Sequence, residues 1–230
     1  MFGEEQEVAD LSGLEYCFAL VRLGLLGNNV SDLTPLAGLT SLEMLNMTGN
    51  NITDISPLAN LINLQGLHLG QNSISNISPL QYLSNLETLR IHDNDITDFS
   101  PIYDLPALIE LDLSSNGLVN IELVTNFTQV KNLYLNSNGT SDITPLASLT
   151  GLERLGLVFN QITDISALAG LTNLIELDLR YNQITDISPL VSNSGLGSGD
   201  ELYLTNKPLS QTSLTTHIPA LEARGVTVYH

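Results

Sequence analysis

The side chains that could carry chemistry in this sequence are four histidines, one cysteine and a spaced column of aspartates. His68, His92, His217 and His230 lack a metal-ligand spacing such as His-x-x-x-His. Cys17 stands alone, which excludes an internal disulfide framework and any multi-cysteine metal site. Gly195-x-Gly197-x-Gly199 is a glycine-rich turn, but the long helix of a dinucleotide-binding unit does not follow it, and no Walker-type loop occurs. Asp32, Asp54, Asp98, Asp142, Asp164 and Asp186 share one phase, with Asn76 and Asn120 interrupting them. A carboxylate ladder could hold calcium between neighbouring segments. However, one carboxylate per segment is few for six- to eight-fold coordination. The other reading is that each Asp accepts local backbone N–H bonds in its own turn. No catalytic residue, metal ligand or cofactor is expected, and the chain reads as a non-enzyme.

What positions these residues is a repeat. Asn28, Asn50, Asn72, Asn94, Asn116, Asn138, Asn160 and Asn182 follow one another at intervals of 22 residues. The pairs Leu23/Leu25, Leu45/Met47, Leu67/Leu69, Leu89/Ile91, Leu111/Leu113, Leu133/Leu135, Leu155/Leu157 and Leu177/Leu179 keep the same spacing. Each Leu-x-Leu alternates apolar and polar residues and predicts a short, half-buried strand. One unit cannot bury its own leucines, whereas stacked units share a core and line up a parallel sheet. The recurring Asn carries both donor and acceptor, so an inward Asn can satisfy the turns of adjacent coils. Ser56-Pro57, Ser78-Pro79, Thr144-Pro145 and Ser188-Pro189 read as helix starts, with Ser or Thr as N-cap and Pro at the first helical position. Few residues then remain before the next strand, so short 3₁₀ or single-turn segments are expected there.

Composition limits the partners. Seven Lys+Arg face 25 Asp+Glu, a net charge of −18. That balance argues against nucleic acid, which needs a basic stripe, and against an anionic membrane surface. Leucine accounts for 45 residues, and no apolar run is long enough for membrane insertion. Met1-Phe2-Gly3 leads into Glu4-Glu5-Gln6-Glu7, with no visible signal peptide.

These columns resemble the leucine-rich repeat superfamily, specifically the 22-residue internalin-like class of bacterial proteins. The resemblance runs from about Val8 to His230. It implies an α/β solenoid, a right-handed leucine-rich repeat superhelix. Its parts would be a parallel concave β-sheet, short 3₁₀ or irregular convex segments and a C-terminal helical cap. Expected divisions are a partial or irregular N-terminal repeat at 1–16, eight 22-residue repeats at 17–192, and the last strand and cap at 193–230. The resemblance favours a secreted or cell-surface setting and macromolecular binding on the concave face, and names no ligand.

The breaks in the pattern carry their own expectations. Counting back by 22 places Gln6 at the Asn position, Asp10 at the Asp position and Cys17 at a repeat-leucine position, as a small core residue. An uncapped first coil would leave a strand edge open, so weak self-association through residues 1–25 is expected. Glu122-Leu123-Val124 loses the Pro start, and Thr140 replaces Ile or Val. Both read as drift, or else as a local flare. Lys207 falls at the ladder position of the last coil and would end the ladder. Ser210 to Ala223 reads as a helix with Leu214, Ile218 and Leu221 on one face, a kink or restart at Pro219 and a stop at Gly225.

Alternation sends the residues between the leucines to the concave surface, where the columns vary while the core columns do not. The C-terminal half of that surface gathers Tyr134, Arg154, Phe159, Glu176, Asp178, Arg180, Tyr181 and Tyr203. Tyr and Arg most often carry interface energy, and these eight are the candidate ligand-binding residues. The neighbouring carboxylates could instead hold the arginines for structural reasons. The reading is a binding scaffold for a protein, or a glycan, as in a bacterial surface or secreted adhesin. The other reading is a spacer segment of a larger protein.

Overall fold

Each Leu-x-Leu segment gives a strand of three residues centred on its first leucine, and backbone bonds to the next coil continue past the strand, as from Gly27 N–H to Thr48 O. The computed structural model describes residues 7–230, in two units, Met1–Asn116 and Gly117–His230. The first unit holds β1 (Arg22–Gly24), β2 (Met44–Asn46), β3 (Gly66–His68), β4 (Thr88–Arg90) and β5 (Glu110–Asp112). They pair in parallel and in chain order, with Leu23, Leu45, Leu67, Leu89 and Leu111 in register. The second unit holds β6 (Asn132–Tyr134), β7 (Arg154–Gly156), β8 (Glu176–Asp178), β9 (Glu201–Tyr203) and β10 (Thr227–Tyr229). They too are parallel, with Leu133, Leu155, Leu177, Leu202 and Val228 in register. Each unit is thus an α/β solenoid stack of repeated coils, its inward columns fully buried. In the third coil Leu61, Leu64, Leu67, Leu69, Ile74, Ile77 and Leu80 show no appreciable exposure. Each such side chain contributes roughly 1.5–3 kcal/mol of burial.

The Asn column joins one coil to the next. Asn50 Oδ1 accepts the Val30 N–H of the preceding coil at 2.9 Å, while its Nδ2 donates to Leu25 O of that coil and to Met47 O of its own. Asn94, Asn160 and Asn182 repeat the arrangement. A second set of asparagines, which the 22-residue ladder alone does not reveal, does the same on the return path. Asn63, Asn85 and Asn173 each donate to a carbonyl of the preceding coil at 2.8 Å.

The residue just before each ladder Asn takes a left-handed backbone: Gly27, Gly49, Gln71, Asp93 and Ser115 in the first unit, then Ser137, Phe159 and Tyr181 in the second. The chain leaves the strand through this one residue, whatever its side chain. Thr140 stands inward where other coils carry Ile or Val. It is fully buried, and its hydroxyl donates to Leu118 O at 2.7 Å. A branched apolar side chain would leave that carbonyl without this donor.

The return segments are 3₁₀ turns, such as Ser56–Leu58, Ser100–Ile102 and Thr144–Ser148, and one short helix α1 (Ser188–Ser192). The expected capping by Ser or Thr is corrected here. These residues are the first of each turn, and no Ser or Thr side chain caps them. The cap is the Asp two residues earlier: Asp54, Asp98 and Asp142 accept the N–H of Ser56, Ser100 and Thr144 at 2.8–2.9 Å. Asn76 and Asn120 make the same bond, to Ser78 and Glu122. The segment Glu122–Asn126 therefore forms without proline.

Two further expectations are revised. Cys17 is exposed, because no earlier coil among the described residues covers its column. Gln6 lies outside the described residues. Asp10 does occupy the Asp position and accepts the Ser12 N–H. In the C-terminal cap, Leu214 faces outward and Ser213 is fully buried. The cause is a π turn at Ser213–His217, just ahead of α2 (Ile218–Glu222). Pro219 offers no N–H, and the wider turn shifts the buried face by one residue. Ser213 Oγ then donates to Thr185 O and accepts from Ile187 N, closing the last coil's open backbone. The longer ninth unit stays in register because Gly195 packs on the Thr172 carbonyl, where a Cβ would come within 1.8 Å.

Two outcomes follow from these bonds. Asn160→Ala should destabilise the protein by about 3 kcal/mol, since it orphans several buried backbone groups; urea unfolding reads this directly. Hydrogen bonds from the Ser100 hydroxyl and backbone N–H hold the Asp98 carboxyl below its ordinary value. A carboxylate with a depressed pKa stabilises the fold above its unfolded pKa and loses that contribution as pH falls through the folded one. Asp98→Asn, which keeps the backbone bond as Asn76 does but not the charge, should be slightly less stable than wild type at neutral pH and lose less stability as the pH falls. Asp98→Ala should lose stability at neutral pH.

Candidate functional site on the strand face of the second unit

The site starts from one missing side chain. In the outward column Tyr134, Gly156, Asp178 and Tyr203, only Gly156 has nothing to project. Its neighbours leave a hollow of about 300 Å³ there, lined by Tyr134, Asn136, Arg154, Leu155, Gly156, Val158, Phe159, Glu176, Asp178 and Arg180. The Tyr134 ring and the Asn136 amide crowd Gly156 from the preceding coil, about 3 Å from where its Cβ would stand. Six of the eight expected residues line this hollow.

The remaining two flank it. Tyr181 stacks on Phe159 with ring centroids 4.1 Å apart and an interplanar angle of 14°. Both rings sit on left-handed backbone, at φ 55°. That conformation is rare for bulky residues and costs of order 1–3 kcal/mol each. Both also remain substantially exposed, Phe159 at 55% and Tyr181 at 43%. Tyr203 stacks on Tyr229 at 4.6 Å and lies under Arg180, whose Cζ is 5.5 Å from its ring centroid. Its hydroxyl donates to Glu201 at 2.7 Å. That bond, reinforced by burial, pushes the Tyr203 phenol up to about 12.

The arginines are held by carboxylates. Arg180 Nε bonds Asp178 Oδ1 at 2.9 Å, and Arg154 Nε meets Glu176 at 3.3 Å. The Asp178 bond holds the Arg180 guanidinium above its ordinary value. Asp178 is also fixed by the Arg180 backbone N–H. Asn136 accepts the Val158 N–H at 2.8 Å. The hollow therefore has charged walls that are compensated in place.

Lys207 stands at the ladder position of the last coil and points its Nζ at Tyr203 O, 3.5 Å away. Burial pushes its ammonium down to about 7, with Arg180 adding to the effect and Asp178 opposing it. In the first unit the strand face is filled differently. Met44 covers Gly66 and His92 covers Gly70. Arg90 pairs with Glu110 at 2.7 Å, and burial lowers the neighbouring His68. Among the described residues no group of three or more His, Cys, Asp or Glu could hold a metal ion.

A lysine whose folded pKa lies below its unfolded one binds fewer protons when folded. Stability therefore rises with pH between about 7 and the ordinary lysine range. Lys207→Met should abolish this component of the rise, as read by urea midpoints at neutral and alkaline pH. An identical pH dependence in the variant would show that Lys207 is not desolvated.

A model of leucine-rich repeats in two copies matches residues 19–60, 62–104 and 150–192. No curated protein matches at a significant level. Among solved structures, an internalin (inlF) of Listeria monocytogenes is 36% identical with a TM-score of 0.78, over 88% of this chain and 61% of that one. Internalin C2 of the same organism is 34% identical with a TM-score of 0.56, over 90% and 78%. A Leptospira interrogans leucine-rich-repeat protein shares the fold, at 23% identity and a TM-score of 0.78, over 95% and 57%.

Proposed function

The chain belongs to the leucine-rich-repeat family, in its bacterial internalin-like form, and from that premise we propose that it binds a protein ligand on the strand face of its second unit. The leucine-rich-repeat fold is that of a protein-binding scaffold, generally without catalysis. The observation that carries the finer reading is the hollow beside Gly156, with Tyr134, Arg154, Phe159, Glu176, Asp178 and Arg180 around it. Uniform core columns set the strand spacing, and the variable outward column shapes this surface. The exposed, stacked aromatic pair Phe159 and Tyr181 beside the hollow supports the same place. A role as a bacterial surface or secreted adhesin agrees with the likeness to the internalins. The spacer reading gives no reason for the hollow or for an exposed aromatic pair beside it.

Selection of displayed peptides or small domains against the whole protein tests this. Binders should lose about 1–3 kcal/mol on Tyr134→Ala or Arg180→Ala, with melting temperatures nearly unchanged. If binders ignore both changes yet are abolished by substitutions at Gly66 or Thr88, the site lies on the first unit instead.

A further inference from the structure

We infer that the hollow beside Gly156 is a socket for one uncharged aromatic side chain presented by the protein ligand. This rests on the reading of the strand face given above and adds the chemistry of the group that enters. Three observations lead to it. First, the volume of about 300 Å³ is at the lower limit of small-ligand sites. It is room enough for a side chain.

Second, the charges in the walls are already matched. Arg154 faces Glu176, and Arg180 grips Asp178 through its Nε and guanidinium. A charged group of either sign entering here meets wall charges that are already paired, and so gains little from them. The same pairs occupy the polar groups that a sugar's hydroxyls would need. Asn136 Oδ1 holds the Val158 N–H, and Asp178 Oδ1 holds the Arg180 N–H. A hydroxyl-rich ring would have to share these groups with the bonds they already make, and a neutral flat ring requires none of them.

Third, the surfaces that remain are those an aromatic ring uses. The Tyr134 ring lies on one side, Phe159 on another, with the Leu155–Gly156 backbone and Val158 also in the lining. Paired guanidinium planes at Arg154 and Arg180 accept an aromatic face without surrendering their carboxylates.

Amide NMR titration of the whole protein with N-acetyl-tyrosinamide, N-acetyl-lysinamide and methyl glucoside decides it. The tyrosine amide should shift the Gly156, Val158 and Phe159 signals, and the other two should leave them in place. Gly156→His, which places at this position the residue that the third coil carries at His68, should weaken the tyrosine amide by about tenfold or more. Tyr134→Asn, matching Asn46 of the second coil, should do the same, so the test does not hang on one variant. The inference is overturned if the lysine amide or the glucoside produces the larger shifts, if no probe shifts these signals, or if both variants bind as wild type does. Selected binders that depend on Tyr134 and Arg180 while the tyrosine amide stays silent would remove the socket and leave the strand-face reading standing.

Discussion

The bond on which the molecule depends is the asparagine amide that reaches from one coil to the one before. A turn after every three-residue strand leaves backbone donors and acceptors inside the protein, where an unpaired group costs about 1–3 kcal/mol. One side chain carrying both an acceptor and two donors answers several of them at once. Asn160 accepts from Thr140 N–H and gives to Leu135 O and Leu157 O. Fixed in this way, adjacent coils can differ only by whole repeats. The leucines fall into register, and the outward residues form straight columns. The hollow beside Gly156 exists because its column is held that firmly by the coils on either side.

Much of this is legible in the residues. A period that recurs without insertion gives the strands, their parallel order and the inward columns, because the same side chains must solve the same packing problem each time. The ladder role of Asn is readable from its donor and acceptor content. The same logic explains the aspartates, since a column of single carboxylates has local N–H groups within reach in every turn. Six of the expected surface residues meet at one place because β6, β7 and β8 are neighbours and alternation fixes their faces.

What is not legible shares a physical origin. The hollow comes from an absence, and a glycine in a variable column announces nothing until its neighbours are placed around it. The Ser-Pro preference points to Ser as the cap, whereas the short 3₁₀ turn already includes that Ser and leaves the cap to the Asp before it. Ser213 displaces Leu214 because a π turn breaks the 3.6-residue rhythm used to count the face. The phase of Cys17 points to the core, but phase alone buries nothing where the described residues place no coil on the other side. Local sequence specifies each contact, and neighbours decide whether that contact has a second surface to meet.

The left-handed residue ahead of each ladder asparagine has a consequence for how such a protein changes over generations. The backbone there is imposed by the turn, and the position is filled by Gly, Gln, Asp, Ser, Phe and Tyr in different coils. A change of side chain there carries the backbone cost of a left-handed non-Gly residue but leaves the amide beside it undisturbed. A gene duplicated by one whole repeat gains a fresh copy of this position in the correct phase wherever the break falls, since any 22-residue window contains one. Whole-repeat duplication thus supplies adjacent, independently mutable positions, and in two neighbouring coils they hold the stacked rings of Phe159 and Tyr181.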